Sequence, residues 1–484
     1  MALQDCGDIV ASKFFPVDDP ENEGQQYPLC ETDYFRRLDL LCFDCGGALR
    51  GSYITALDRK YHIEHFTCSV CPTVFGAQDS YYEHEGKVYC HYHYSTQFAQ
   101  RCNGCQTAIL KQFVEIFRNG QNQHWHPECY MIHKFWNVRL APPGVDGNNQ
   151  IQAEENATEE TRTLVRVEEE QMEEKVYRIW SVLSAFEESS AACISDMLLH
   201  VSNGSYVEGI LVAKKFIAHV DILFGATDRL DFMIVSEGVK SKSQFCPRAR
   251  TRVKTKFLGL SYGREAKLLC KKIVAFFSLL SKTQETGVKK LGVTQELLSL
   301  VTGLAHYLKL LIRISLQGAL KLERERRSIE GLHRFLADLE HLDALKQADE
   351  RTDLLSDVSN LADQQSDLCH KCKEPIDDEC TKLDQQRWHK HHLTCDYCER
   401  VLGSETLRDV LWSEKEGQIC CRRCHEQDGH ALDAVASFES VTRLQQYVYL
   451  LRVALARLLS VLRSGGTLPH TSGMLFKRGF LYFC

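Results

Sequence analysis

Apolar residues recur at steps of three, four or seven through Val165, Met172, Val176, Ile179, Val182 and Leu183, and again through Leu300, Leu304, Leu308, Leu311 and Ile314. That period is one face of an α-helix, so residues 163–348 read as a mostly α-helical domain. A second run, "RLQQYVYLLRVALARLLSVL", sets Leu444, Val448, Leu451, Leu455, Leu458 and Leu462 at alternating steps of four and three. This heptad seam makes 430–463 an amphipathic helix, serving either a coiled-coil association through 441–462 or packing on a neighbouring unit of the same chain. Arg313, Arg452 and Arg457 interrupt the apolar stretches, which are too short to span a bilayer, and no transmembrane segment is expected. Residues 137–162 and 349–367 are polar and read as linkers. Residues 464–484 begin with Gly465, Gly466 and Pro469, which end a helix, and read as a disordered or aberrant tail; their apolar anchors beside Lys477 and Arg478 leave a docking segment as the other reading.

Elsewhere the helical period gives way to cysteine and histidine. "YHIEHFTCSVC" carries His62, His65, Cys68 and Cys71 at every third position. Four such residues on one helix cannot surround one ion, because each step of three drifts by about 60° at 3.6 residues per turn. Flanking pairs divide them between two sites. Cys42, Cys45, His62 and His65 make one; Cys68, Cys71, Cys90 and His93 make the other, with Phe66 in the seam between them. Zinc takes four nitrogen or sulfur ligands tetrahedrally, and a CxxC turn aims two thiolates at one ion. The same order returns as Cys369, Cys372, His389 and His392, then Cys395, Cys398, Cys421 and Cys424. Every position is a protein ligand, so the zinc is structural and a hydrolytic centre is not expected.

This double-finger spacing, with Tyr61 or Trp388 just before the third ligand, resembles the LIM domain, a protein-interaction module with two zincs. The resemblance implies tandem treble-clef-like β-hairpin fingers at 40–96 and 368–427. A half copy occupies 100–136: Cys102, Cys105, His126 and Cys129 form one site, but Ile132 and Phe135 stand where the next two LIM ligands belong. Residues 1–36 hold the reverse remnant, in which Cys6, Cys30 and Asp33 remain and Leu3 replaces the partner cysteine. The sum is about five Zn²⁺ per chain. Metal removal is expected to unfold the zinc segments and spare the helical middle.

The chain has 22 Cys, most in CxxC or CxxH pairs, which is metal-ligand usage rather than the scatter of a disulfide framework. A net charge of -7 gives no global argument for nucleic acid, and acids in the loop 79–85 and the segment 404–416 weigh against a nucleic-acid-binding zinc-finger protein, the rival reading. The basic run 240–256, with Lys242, Arg248, Arg250, Arg252, Lys254 and Lys256, reads as a solvated loop. "EIFRNG" looks like an arginine-finger loop, but Arg118 lies inside a zinc loop and is set aside. No basic-then-apolar leader opens the chain, so a reducing cytoplasmic location is expected.

The order of parts, carried by "LCETDYFRRLDLLCFDCGGALRGSYITALDRKYHIEHFTC" and "RLQQYVYLLRVALARLLSVLR", resembles the regulatory half of fungal LIM-containing Rho GTPase-activating proteins. That family implies partners in Rho-type GTPase signalling or among cytoskeletal and cell-wall regulators, at sites of polarised growth or septa. Its catalytic domain follows the last helix, and only Ser464 to Cys484 remain here, so the residues as given are expected to be non-catalytic.

Overall fold

The computed structural model describes residues 5–6, 13–19, 24–76, 78–118, 120–141, 157–243, 259–286, 291–341, 367–403, 407, 410–413, 418–428 and 438–464. The tail after Ser464, the linker 349–366 and the basic residues Arg248 to Lys256 lie outside them. The chain divides into two compact units. One holds residues 1–130 and 139–177, the other residues 131–138 and 178–484.

The first unit is built from short antiparallel hairpins. β1 (Phe15–Asp18) pairs with β2 (Gln26–Leu29), and α1 (Glu31–Arg37) follows. β3 (Tyr53–Ala56) pairs with β4 (Arg59–His62), and β5 (Tyr82–His84) with β6 (Lys87–Tyr89), which leads into α2 (His91–Gln97). β7 (Val114–Arg118) and β8 (Gln121–Trp125) form the hairpin of the half copy, followed by α3 (Pro127–Trp136). Two-stranded hairpins bury too little to be stable alone, so each finger needs a further crosslink. Phe66 does occupy the seam: it is buried, with the rings of Tyr61, Phe75 and Tyr81 centred 5.3, 5.5 and 5.1 Å away.

Helix α4 (Glu159–Asn203) begins inside the stretch read as linker. Thr158 explains the start. Its Oγ1 accepts from Thr161 N at 3.2 Å, and Glu159 and Glu160 place negative charge in the first turn. The part of α4 belonging to the first unit meets both zinc segments there. Val165 packs on the cluster around Tyr89 and Tyr92, and Glu169 binds Arg101 at 3.0 Å and accepts from the amide of Ala108 at 3.2 Å, with the His91 ring 3.4 Å away.

The second unit contains the rest of α4 with α5 (Tyr206–Ser243), α6 (Gly263–Thr286), α7 (Leu291–Arg326) and α8 (Glu330–Glu340). Their buried positions keep the helical period, as in Leu300, Leu304, Leu308 and Leu311 of α7. By length and composition α7 is apolar enough over Gln295–Arg326 to cross a bilayer, further than its "LLIRISL" motif suggested. Here it packs against α5, α6 and α8.

The C-terminal zinc segment belongs to this unit too. β9 (Cys380–Leu383) and β10 (Gln386–His389) form one hairpin; β11 (Val410–Ser413) and β12 (Gln418–Cys421) form the other, continuing into α9 (Arg422–Asp428). β13 (Glu439–Val441) then adds to β9 as a third strand, and α10 (Arg443–Ser464) follows at once. The seam residues Leu444, Val448, Leu451, Leu455, Leu458 and Leu462 are all buried, and α10 packs on α5 and α6. The seam read as a possible coiled coil through 441–462 is therefore spent inside the chain.

Thr442 and Gln445 form a reciprocal cap on α10, and the Thr442 hydroxyl donates to Asp228 on α5. Burial raises Asp228 to about 6, with the Thr442 and Tyr262 hydroxyls acting against it and Asp231 and Glu379 adding to it. A raised carboxylate contributes stability below its unfolded value of 3.8 and loses it as pH rises through about 6. Asp228→Asn is thus expected to raise the melting temperature at pH 7.5 by about 2–4 °C, the scale of roughly 1 kcal/mol in a large domain. The gap should narrow at pH 5.5, and thermal scans at the two pH values check it.

Candidate metal centres

Each finger places its ligands in the same way. The first CxxC pair sits on a tight turn at an isolated bridge, such as Leu41 to Ala48 or Arg101 to Ala108, and the following hairpin delivers the third ligand at or just after the end of its second strand: His62, His126 and His389 in three fingers, Cys90 and Cys421 in the other two. The structure brings together each of the five predicted sets: Cys42, Cys45, His62 and His65; Cys68, Cys71, Cys90 and His93; Cys102, Cys105, His126 and Cys129; Cys369, Cys372, His389 and His392; and Cys395, Cys398, Cys421 and Cys424. Within each, one donor atom per residue lies within 4.8 Å of the others.

The separations fit a tetrahedral ion. Zn–S of about 2.3 Å and Zn–N of about 2.0–2.1 Å imply ligand-to-ligand edges of roughly 3.3–3.8 Å. Cys45 Sγ to His62 Nδ1 is 3.4 Å, His62 Nδ1 to His65 Nδ1 3.2 Å, Cys90 Sγ to His93 Nδ1 3.2 Å, Cys105 Sγ to His126 Nδ1 3.3 Å, Cys372 Sγ to His389 Nδ1 3.5 Å and Cys398 Sγ to Cys421 Sγ 3.8 Å.

A supporting shell orients these atoms. His62 Nε2 donates to Ala48 O, His126 Nε2 to Ala108 O and His389 Nε2 to Pro375 O, each at 3.2 Å. With the proton held at Nε2, the Nδ1 lone pair faces the cluster. Sequence reading could not find these acceptors, since a backbone carbonyl has no residue signature. Amides also point at the thiols: His62 N at Cys42, Cys90 N at Cys68, His126 N at Cys102 and Cys421 N at Cys395, at 3.3–3.4 Å.

These donors favour the thiolate that a metal needs. Burial opposes ionisation of Cys42, but the amides of Cys45 and His62 and the His65 ring outweigh it and bring the thiol down to about 6. The Cys90 thiol, helped by backbone amides, lowers Cys68 to about 4. Burial is again overcome at Cys395, brought to about 6 by the amides of Cys421 and Cys398.

The half copy departs from its neighbours after Cys129. Ile132 is fully buried, and Phe135 and Trp136 pack against Trp180 at centroid distances of 5.9 and 5.8 Å. Apolar anchors on a helix stand where a second finger would have ligands. In the N-terminal remnant, Cys30 Sγ lies 2.9 Å from Asp33 Oδ2 and caps α1, Asp33 is tied to Arg36, and Cys6 is exposed.

The LIM domain family model matches residues 42–98 and 369–429. These two segments are LIM domains. LIM domains bind zinc, and their clusters have the donor set and spacing to hold it. The chain is similar to Rho-type GTPase-activating protein 1 of Schizosaccharomyces pombe, 47% identical over 95% of this chain and 38% of that protein. Rho-GTPase-activating protein LRG1 of Saccharomyces cerevisiae is 31% identical over 94% of this chain and 44% of its own length. Paxillin homolog 1 of Caenorhabditis elegans is 32% identical over 23% of this chain and 25% of its own. The chain thus spans less than half the length of these relatives.

Proposed function

We propose that the chain is a zinc-stabilised LIM scaffold that binds proteins, and that it forms the regulatory part of a Rho GTPase-activating protein in signal transduction. The observation that carries this reading is the pair of LIM domains with every ligand position filled by protein, which leaves metal as a crosslink and the finger surfaces as the working part. The names of the two fungal relatives point to Rho-type GTPase signalling, and regulators of cytoskeleton or cell wall are the partner class. A cytoplasmic position at sites of polarised growth or septa goes with that role, and a fluorescent fusion seen elsewhere would contradict it. Affinity capture from a fungal lysate tests the scaffold, with direct binding of each captured protein after purification. Cys68→Ala should abolish binding of partners held by the first LIM domain; partners that bind it unchanged would remove that domain from the account.

The residues as given are expected not to accelerate GTP hydrolysis. Arg118, the arginine of "EIFRNG", ends strand β7 at the tip of an exposed two-stranded hairpin, where it pairs with Gln121 rather than lying on a helical surface. A transition-state arginine is worth about 10³–10⁵ in rate. Single-turnover assays with Rho-type GTPases should therefore match the intrinsic rate. Acceleration that vanishes in Arg118→Ala would reverse this assignment.

A further inference from the structure

We propose that the first metal site of the C-terminal LIM domain, Cys369, Cys372, His389 and His392, is coupled to the helical unit through α10, so that emptying this site loosens α10 while emptying the Cys395, Cys398, Cys421 and Cys424 site does not. The starting observation is that one short segment finishes two structures. Val441 pairs with Cys380 across β13 and β9, and Cys380 in turn pairs with the ligand His389 across β9 and β10. Two residues later the same chain has become α10, whose apolar face completes the packing of α5 and α6.

A buried polar knot ties the two together. Gln446 is fully buried on α10. Its Nε2 donates to Ile376 O at 2.9 Å, and its Oε1 accepts from Arg387 Nη1 at 2.8 Å and from Cys380 Sγ at 3.3 Å. The Arg387 guanidinium lies 3.5 Å from the centre of the Tyr449 ring, one turn further along α10. Ile376 follows the first CxxC turn, and Arg387 precedes His389 by two residues on β10, so both ligand-bearing pieces of the site end on Gln446 and its neighbours. A buried amide has no substitute partner when its finger opens, and a half-satisfied network is costly.

Three ion pairs repeat the connection at the rim. Arg457 of α10 binds the buried Asp367, two residues before Cys369. Arg443 grips Asp378 with Nε at 2.7 Å and Nη2 at 3.1 Å, and Lys267 of α6 lies 3.3 Å from Asp377. The second site is built differently. Among the described residues it is tied chiefly within its own finger, by Asp396 N to Ile419 O at 2.8 Å, Ile419 N to Asp396 Oδ2 at 2.6 Å and Tyr397 hydroxyl to Gln418 Oε1 at 2.9 Å, and it meets the first finger through Lys371 on Thr394 and the Trp412 ring on Trp388 rather than α10. Without metal the first hairpin has no crosslink to hold its register, and β13 and Gln446 lose the surface they are fastened to. The helical middle, residues 163–348, is still expected to survive metal loss; α10 lies outside it and goes with the first site.

The test uses the full chain under stepwise chelation. Thiol alkylation read by peptide mass spectrometry reports which site has opened, and amide exchange over Arg443–Ser464 is followed in the same samples. Exchange in α10 is expected to rise at least about tenfold in step with alkylation of Cys369 and Cys372. Cys398→Ser, which disables the other site, should leave α10 exchange unchanged, whereas Cys372→Ser should reproduce the rise with loss of one zinc. Protection of α10 that persists once Cys369 and Cys372 are fully alkylated would overturn the coupling. So would exchange that follows Cys395 and Cys398 instead. The alkylation arm needs no variant, so it decides the matter even where Cys372→Ser does not fold.

Discussion

Elemental analysis of the purified chain is expected to return five zinc ions, two in each LIM domain and one in the half copy. Five sets of four donors converge at tetrahedral spacing, and none of the five leaves a position for water. Structural zinc of this kind contributes about 10–16 kcal/mol of apparent binding energy at pH 7, which in a small finger is folding energy. Cys102→Ser should lose one zinc and unfold the β7 and β8 hairpin, because Cys102 is fully buried and accepts both the His126 and Gly104 amides at 3.3 Å. Two zincs or fewer in the unmodified protein would contradict the site geometry.

How legible this was depends on the distance over which each feature is encoded. The metal clusters were readable because CxxC and HxxH spacing is local, and because eight ligands recur in one order at Cys42 to His93 and Cys369 to Cys424. The helical period of α7 was readable for the same reason. What escaped is non-local. Nothing in "ESV" announces that Glu439–Val441 will pair with β9, since three extended residues carry no partner information. The heptad seam of α10 stated only that one face is apolar; whether another chain or α5 and α6 cover it depends on where β13 delivers the helix. The Thr158 cap is not legible in composition, because a polar stretch before a helix looks the same whether or not one of its hydroxyls caps the first turn. Gly104 shows a further limit. A Cβ there would sit 2.8 Å from Cys129 Cβ and 3.2 Å from the Trp125 ring, a close approach across the cluster that "CNGC" does not express.

Restoring the LIM ligand positions of the half copy, by Ile132→Cys with Phe135→Cys, is expected to add no zinc and to destabilise the protein by about 2–5 kcal/mol, the scale of large-to-small changes in a packed core. A CxxC pair supplies two ligands, and the other LIM domains take the remaining two from a second hairpin, as with Cys90 and His93 after β5 and β6. After Cys129 no cysteine follows until Cys193, well along α4, so the new thiols would lack the second pair. What they would lose is already in use. Ile132 has no exposed surface, and the Phe135 ring packs near Trp180 with the Lys309 ammonium 4.8 Å from its centre. Hydrophobic anchoring has taken over the task that metal performs in a complete LIM domain, and the same positions cannot serve both. Zinc analysis and thermal unfolding of the double variant read the two effects separately. A sixth zinc with unchanged stability would mean that the helix docking of α3 is incidental and that a finger can still form there.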